Sequence, residues 1–168
     1  MAKGQAERLM PLLQELLVEA GLVWADLCAI GVGTGPGNFT GVRISVAAAR
    51  GLALGLGVPA IGVTALEAMA FGASLPVTVV IDARRDEVYV QGFGEDCHDP
   101  AELMLARDAT VLGDVIGLGG SAPRYPLAEA IARIAALRMH SPRPRPAPFY
   151  LRGADAAPPT DPPPVILP

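Results

Sequence analysis

The stretch that decides the fold reads GTGPGNFTGVR and runs from Gly33 to Arg43. It follows a short apolar run over 27–32 and precedes a segment of helical pattern over 42–56. Glycines in such a turn let backbone N–H groups point toward an anion at a helix N-terminus. The turn is not a P-loop, because no Gly-Lys-Ser/Thr follows it. A dinucleotide site is also excluded, because no acidic residue ends a second strand about 20 residues on.

Two interpretations of this turn stay open. In the first, the turn is architectural: Gly35 and Gly37 adopt backbone angles that other residues avoid, and Gly41 allows close packing. In the second, the turn contacts an anion. The candidate residues are the same in both cases: Gly33, Gly35, Gly37, Thr40, Gly41 and Arg43.

The segments around the turn predict a first α/β unit over 1–73. Apolar residues recur at helical spacing over 5–20, and Gly21 is expected to cap that helix. The helix over 42–56 is rich in alanine and glycine, which favours close approach of a neighbour. A short strand is predicted over 60–63, and Thr64 and Glu67 form a predicted capping box for the next helix.

A second unit is predicted over 74–168. Its pattern indicates a doubly buried strand over 77–81, a turn over 83–86 and a return strand over 87–93. A helix near 99–106, a strand over 115–118 and a helix over 127–139 follow. From residue 141 onward, 10 of 28 residues are proline. That tail is expected to be extended and to run along a surface.

Composition excludes several classes of protein. Hydrophobic residues make up 51% of the 168-residue chain and charged residues 18%, which excludes intrinsic disorder as the main state. The net charge of −4 argues against a generic nucleic-acid coat. Two cysteines and two histidines give little material for a disulfide scaffold, a metal site or a Ser-His-Asp triad. No signal peptide or membrane-spanning run is expected, so the predicted location is the cytoplasm.

Four segments resemble the TsaB family, also called YeaZ. Residues 35–70, GPGNFTGVRISVAAARGLALGLGVPAIGVTALEAMA, carry the most specific similarity. Residues 6–17 resemble the family's first interface helix, residues 81–93 its second hairpin, and residues 149–159 its C-terminal tail. The resemblance covers nearly the whole chain in the same order.

The resemblance implies an α/β fold of the duplicated actin-like ATPase (ribonuclease-H-like) type with two lobes. It also implies a non-catalytic partner of TsaD that acts with TsaE. The complex transfers a threonylcarbamoyl group to the adenosine next to the anticodon in tRNAs that read ANN codons. The family implies a homodimer where TsaD is absent, tRNA contact only through the complex, ATP only in the complex and no cofactor of its own.

The chain departs from the family at its start. The family begins with a strand-turn-strand hairpin, and about 30 residues equivalent to it do not precede Met1. The comparison of the two units leads to the same expectation, because the second opens with a hairpin and the first with a helix. The strand over 27–32 would then lie at an open sheet edge. We therefore expect a short chain of low stability and an in-frame hairpin encoded upstream of Met1.

A partner interface is predicted on two helices. The apolar stripe of the helix over 5–20 is wider than one core contact needs, and the small-residue helix over 42–56 is expected beside it. A single core is the alternative. The predicted interface residues are Leu9, Leu12, Leu13, Leu16, Val46, Ala49, Arg50 and Ala53.

Catalysis by the chain itself is not expected, and no catalytic or metal-binding residue is assigned. Where TsaD has a His-x-x-x-His metal pair, the corresponding residues are Ala65 and Met69. The alternative function is an ATP-dependent small-molecule kinase or a glycoprotease-like hydrolase. Asp82 is either a catalytic carboxylate for such chemistry or a turn aspartate paired with the arginines that follow it. His98 and His140 are expected at the surface. The arginine-rich segment 124–152 is either a solvated face, with the tail fixed by Arg152, or a contact for tRNA or an acidic partner.

Overall fold

The computed structural model describes residues 4–96, 98–109 and 114–152. This part of the chain contains four α-helices and six strands: α-helices and strands alternate up to the third strand, and three further strands then follow before the last α-helix. In chain order they are α1 (Gln5–Glu19), β1 (Ile30–Gly33), α2 (Phe39–Leu56), β2 (Ala60–Val63), α3 (Ala65–Ala70), β3 (Val77–Arg84), β4 (Glu87–Phe93), β5 (Glu102–Leu105), β6 (Asp114–Gly117) and α4 (Leu127–Arg138).

The strands form two sheets. In the first, β1 and β2 are parallel and pair from Ile30 with Ala60 to Gly33 with Val63. In the second, the strand order is β5-β4-β3-β6, with β3 antiparallel to β4 and parallel to β6. Among the described residues, β1 has β2 as its only strand neighbour.

The helices pack on these sheets unequally. Helices α2 and α4 both pack against β1, and α3 packs against β3 and α4. The close approach of α4 depends on Gly31, where an added Cβ would lie 2.9 Å from the Cβ of Ala135. Helix α1 is not among the elements that pack closely on another element, and none of its described side chains is buried.

The predicted helix ends are confirmed where a local signal defines them. The φ of Gly21 is +68°, and the N–H groups of Gly21 and Leu22 donate to the carbonyls of Val18 and Leu17 in a Schellman arrangement. The Thr64 hydroxyl accepts from the N–H of Glu67 at 3.0 Å. The second half of the predicted capping box is wrong, because the Glu67 carboxylate accepts from Arg138.

Other boundaries differ from the prediction. Strand β1 begins three residues later than the apolar run, and α2 begins earlier, because Asn38 caps it by accepting from the N–H of Gly41 at 2.8 Å. The helix predicted near 99–106 is wrong. Residues 102–105 instead form β5, which pairs with Glu87–Val90 of β4. The β3–β4 turn has positive φ at Arg84, Arg85 and Asp86, the angles that a tight primed hairpin turn needs at its centre.

The tail is extended as far as the structure describes it. Residues 142–150 form no helix or strand. They return to the first sheet, where Pro146 is buried, and Arg152 then reaches the β3–β4 hairpin. Residues beyond 152 lie outside the described range.

Within the described residues, α2 is long and apolar enough to cross a membrane, by length and composition only. This is weak evidence, because the core helix of a globular protein passes the same test. Val46, Ala49 and Ala53 of α2 are buried within the fold.

Candidate interaction surface and glycine turn

The glycine turn is bonded to two other parts of the chain. The N–H of Thr34 donates to the carbonyl of Val63 at 2.9 Å, and the N–H of Ala65 donates to the carbonyl of Gly35 at 2.7 Å. From the tail, the N–H of Phe149 donates to the carbonyl of Thr34 at 2.8 Å. Thr34, Gly35 and Pro36 are buried by these contacts. The arrangement supports the architectural interpretation of the turn.

Only part of the prediction for the individual glycines is confirmed. Gly35 has a φ of +100°, and an added Cβ would lie 3.1 Å from the carbonyl oxygen of Phe149. The prediction for Gly37 is wrong: its φ is not in the left-handed region, and an added Cβ would meet only Val42, at 3.9 Å. Gly33 approaches Ile131 of α4, with 3.2 Å between an added Cβ and Cδ1. Gly41 donates its N–H to Asn38.

The two remaining turn residues lie at the start of α2 and are exposed. Arg43 is held by aromatic side chains: its guanidinium carbon is 3.7 Å from the centre of the Phe39 ring, and its Nε donates to the hydroxyl of Tyr150 at 2.8 Å. The Phe39 and Tyr150 rings are themselves in contact, with centroids 5.1 Å apart. Arg43 therefore fastens the tail to α2. Thr40 is exposed without a described hydrogen bond of its side chain.

Helix α1 presents its predicted leucines at the surface. Leu9, Leu12 and Leu13 are half-buried, and Leu16 is 51% exposed. The helix is joined to the rest of the fold beside Trp24, whose Nε1 donates to Oε1 of Gln14 at 2.6 Å. Arg8 and Glu15 form a bidentate pair on the exposed side, and this hydrogen bonding holds the pKa of Glu15 below its ordinary value.

Three of the predicted interface residues on α2 face inward. Val46, Ala49 and Ala53 are 3–6% exposed, and Val46 and Ala49 pack with Val32 of β1. A partner helix cannot reach them, so this part of the prediction is corrected: they are core residues. Arg50 is exposed.

The face of α2 that points outward differs from the predicted face. It carries exposed small residues, Ala47, Gly51 and Gly55, and the 83% exposed Leu54. Beside it lies an apolar groove of about 430 Å³ between α1 and α2. Its lining residues are Met10, Trp24, Ala48, Gly51, Leu52, Gly55 and Leu56. The single tryptophan, placed after the first helix, was the sequence signal that could have indicated this groove.

About half of the exposed large hydrophobic side chains lie on two helices and the loop between them. Of the thirteen such residues in the described ranges, seven lie on α1, on the loop after it or on α2. They are Met10, Leu16, Val18, Leu22, Val23, Phe39 and Leu54. Exposed apolar residues that are grouped on neighbouring elements mark an interaction site more often than single exposed residues do. We name α1, the loop to Trp24 and the outward face of α2 the helical face.

The residues considered for catalysis have structural roles. Asp82 is exposed, and its Oδ1 accepts from the backbone N–H of Arg84 at 2.7 Å, so the predicted pairing involves the arginine backbone. Ala65 and Met69 lie on α3, and Met69 packs against the core under β3. The His98 ring contacts the Phe93 ring in a tilted arrangement with centroids 5.0 Å apart, and both His98 and His140 are exposed. In the ranges that the structure describes, no three His, Cys, Asp or Glu side chains are placed to hold one metal ion.

Most of the arginine-rich segment is engaged within the chain. Arg133 pairs with Glu129, Arg138 with Glu67, and Arg124 donates to the carbonyl of Gly72 at 3.1 Å. Arg152 donates to the carbonyl of Ala83 at 2.9 Å and pairs with Glu87. A side-chain hydrogen bond with Tyr89 is the main reason that the pKa of Arg152 lies above its ordinary value. The tail is thus fixed by Arg152, as the sequence indicated.

Comparison with known proteins shows which family this chain is similar to. The profile of the family described as TsaD, tRNA N6-adenosine threonylcarbamoyltransferase, matches residues 1–158. An uncharacterized protein of Mycobacterium tuberculosis is 34% identical over 168 residues, which cover 94% of this chain and 79% of that protein. The tRNA threonylcarbamoyladenosine biosynthesis protein TsaB of Escherichia coli is 43% identical over 99 residues, 56% of this chain. The match spans only 43% of the length of that relative.

Solved structures agree with the α/β architecture. YeaZ from Pseudomonas aeruginosa has a TM-score of 0.64 at 26% identity, covering 87% of this chain and 84% of its own. A Pseudomonas aeruginosa protein described as similar to peptidase YeaZ has a TM-score of 0.67 at 28% identity, covering 88% and 84%. The fold is therefore of the actin-like, ribonuclease-H-like type. The chain belongs to the family that the matching profile describes, and within it to the TsaB (YeaZ) proteins.

Proposed function

We propose that this chain is a non-catalytic scaffold subunit in the formation of threonylcarbamoyladenosine in tRNA. In this proposal it holds and activates a TsaD-type transferase, which carries the chemistry, and TsaE acts with the pair. The product lies next to the anticodon in tRNAs that read ANN codons. ATP enters only through the complex, and the subunit acts in the cytoplasm. Support comes from the family and from the names of its TsaB relatives.

The observation that carries the scaffold role is the helical face. Helix α1 buries no described side chain in its own fold, although its leucines form a regular apolar stripe. Small residues on the outward face of α2 leave room for a neighbouring backbone, because an added Cβ at Gly51 or Gly55 would meet nothing within 4 Å. Two helices of this chain and two of a partner would make a four-helix contact.

The same surface accounts for the proposed homodimer in the absence of TsaD. An apolar face that is covered in the complex is unfavourable in water, since burial of apolar surface contributes about 25 cal/mol per Å². A second copy of the chain offers the same face for self-association. TsaD and the second copy would therefore compete for one surface.

The alternative function, an ATP-dependent kinase or a hydrolase, is less well supported. Asp82 is the residue that such chemistry would use, and its carboxylate is exposed and bonded to the turn that follows it. Glycoprotease-like chemistry would also need groups equivalent to a histidine pair, and Ala65 and Met69 stand at those positions.

Reconstitution tests the proposal. The purified chain is mixed with the cognate TsaD, TsaE, threonylcarbamoyl-AMP and an unmodified tRNA that reads an ANN codon, and the modified nucleoside is measured by mass spectrometry. We expect product only when both this chain and TsaD are present. Equal product without this chain would contradict the scaffold role. Product with this chain but without TsaD would show that the chain is itself catalytic.

A further inference from the structure

A cavity of about 560 Å³ opens between the C-terminal half of α2, the turn to β2 and the proline-rich tail. Three arginines from two separate parts of the chain line it: Arg50 from α2, and Arg143 and Arg145 from the tail. The other lining residues are apolar or glycine: Gly51, Ala53, Leu54, Gly57, Val58, Pro59, Ala60 and Pro146. Among the described residues, no carboxylate lines it. We name this site the arginine cavity.

The three arginines of this cavity have no hydrogen-bond or ion-pair partner for their guanidinium groups among the described residues. Five arginines form ion pairs with acidic residues: Arg8, Arg107, Arg133, Arg138 and Arg152. Arg43 and Arg124 bond to a hydroxyl and a carbonyl, and Arg85 also has an interaction. Within the described ranges only four guanidinium groups have no hydrogen bond or ion pair, and three of these four line the arginine cavity. The fourth is Arg84.

This distribution is unfavourable for the free protein. Three like charges around one cavity repel one another, and a chain of net charge −4 has acidic residues enough to pair them. In the fold, however, the acidic residues pair with other arginines. A bound anion would remove the repulsion, and guanidinium groups form strong two-pronged hydrogen bonds with phosphate.

The tail arginines are held in place before any ligand arrives. Residues 142–148 alternate proline with other residues, so Arg143 and Arg145 each precede a proline and are restricted to extended backbone. Pro146 is buried against β2, where an added Cβ at Gly62 would meet its Cβ at 3.3 Å. The bond from Phe149 to Thr34 fixes the segment beyond it. A restrained backbone lowers the entropic cost of binding.

We propose that the arginine cavity binds phosphate groups of the tRNA backbone directly. The proposal rests on the proposed function, and it goes beyond it by giving this subunit its own contact with the substrate. Gly51 and Leu54 belong both to this cavity and to the helical face, so the cavity borders the surface proposed for TsaD and tRNA would bind at that border. The described lining contains no aromatic or amide side chain that would stack on or read a base. Contact with the backbone is therefore independent of sequence, which suits a subunit that must accept several different tRNAs.

A matched pair of double variants tests the proposal. Arg143→Gln with Arg145→Gln removes two charges from the arginine cavity. Arg84→Gln with Arg107→Gln removes two exposed charges elsewhere. Each full-length protein is assembled with TsaD, and its affinity for an unmodified tRNA transcript is measured by fluorescence anisotropy between 50 and 200 mM salt. Melting temperatures are compared first. The control should melt like the wild type because its two side chains are exposed, and the cavity variant should melt at the same or a slightly higher temperature because two like charges are removed.

We expect the cavity variant to bind tRNA about tenfold more weakly or worse at low salt. The slope of log K against log salt should fall by about 1.4–1.8, which corresponds to the loss of two phosphate contacts. Arg50→Gln should act in the same direction with roughly half the change in slope. The control double variant should bind like the wild type.

Three outcomes would overturn the inference. One is wild-type affinity in the cavity variant, and another is an equal loss in both double variants, which would indicate a diffuse charge effect. The third is loss of TsaD assembly in the cavity variant with unchanged tRNA affinity of the complex that does form, which would make the cavity a protein contact. If the cavity variant binds tRNA with wild-type affinity and supports normal formation of the modified nucleoside, this inference fails and the scaffold role stands. If the wild-type protein gives no product, the proposed function itself is refuted.

Discussion

Phe149 and Thr34 are joined backbone to backbone, with 2.8 Å between the nitrogen of Phe149 and the carbonyl oxygen of Thr34. Thr34 in turn donates to Val63, so the tail continues the hydrogen bonding at the end of the first sheet. The carbonyl oxygen of Phe149 lies 3.1 Å from the position that a Cβ at residue 35 would take. The glycine turn and the tail therefore depend on each other for their positions.

Gly35→Ala should destabilise the protein. The residue has a φ of +100°, and the new methyl group would lie 3.1 Å from the Phe149 carbonyl. We expect the free energy of unfolding to fall by about 1–3 kcal/mol, as measured by urea denaturation. Gly37→Ala is the matched control, since it has neither strain nor a close neighbour. Its effect should stay within about 0.5 kcal/mol, and equal losses in the two variants would contradict the role assigned to Gly35.

Leu16→Glu should weaken binding to TsaD without unfolding the chain. Leu16 is 51% exposed on α1, so the charge is tolerated in the free protein and is buried only in the complex. Binding is measured by calorimetry or by co-purification. Leu137→Glu on α4 is the control, because Leu137 is 76% exposed and lies outside the helical face. If both variants bind TsaD like the wild type, α1 is not part of the interface.

Gly55→Ala should have opposite effects on the stability of the free chain and on its assembly with TsaD. An added Cβ at Gly55 meets nothing within 4 Å, so alanine should stabilise α2 by about 0.5–1 kcal/mol. Where a partner helix packs closely on this face, the same methyl group should weaken assembly. We therefore expect a higher melting temperature and a lower affinity for TsaD in one variant. A higher melting temperature with unchanged affinity would exclude close packing at Gly55.

Gly31→Ala should push α4 away from β1. The added Cβ would lie 2.9 Å from the Cβ of Ala135 and 3.2 Å from the carbonyl oxygen of Ile131. A loss of about 1–3 kcal/mol is expected in denaturant unfolding, as for other overpacked cores. Adding Ala135→Gly to this variant should recover part of the loss beyond the additive value, because the two groups collide directly. Strict additivity would show that they do not meet.

Local sequence signals predicted much of the fold. The period of apolar residues and the caps at Gly21 and Thr64 predict α1, β2, the start of α3, β4 and α4 closely, because these signals act over a few neighbouring residues. Strand β5 was missed, since residues 102–105 have no strong pattern and take extended structure from pairing with β4. The angles at Arg85 and Asp86 were missed for a similar reason: the tight hairpin imposes them on residues that rarely adopt them.

The candidate site was predicted less well. Helix α2 is apolar or small on most of its circumference, so its sequence does not tell which face meets β1 and which faces outward. The buried positions Val46, Ala49 and Ala53 were therefore assigned to the wrong side. The arginine cavity was also hidden, because Arg50 is distant in sequence from Arg143 and Arg145 and the partners of the remaining arginines come from other segments.

Arg152→Met should loosen the tail more than it loosens the core. The guanidinium donates to the Ala83 carbonyl and pairs with Glu87, and these are the contacts that hold the end of the described tail on the β3–β4 hairpin. Methionine keeps much of the apolar stem and removes the bonds. Hydrogen–deuterium exchange should then become faster at the amide of Phe149, whose bond to Thr34 is the next anchor along the tail. Arg107→Met is the control, because Arg107 is highly exposed and pairs only with its neighbour Asp108. Faster exchange throughout β3 and α4 would mean that Arg152 stabilises the whole fold, and unchanged exchange at Phe149 would mean that the tail is held without it.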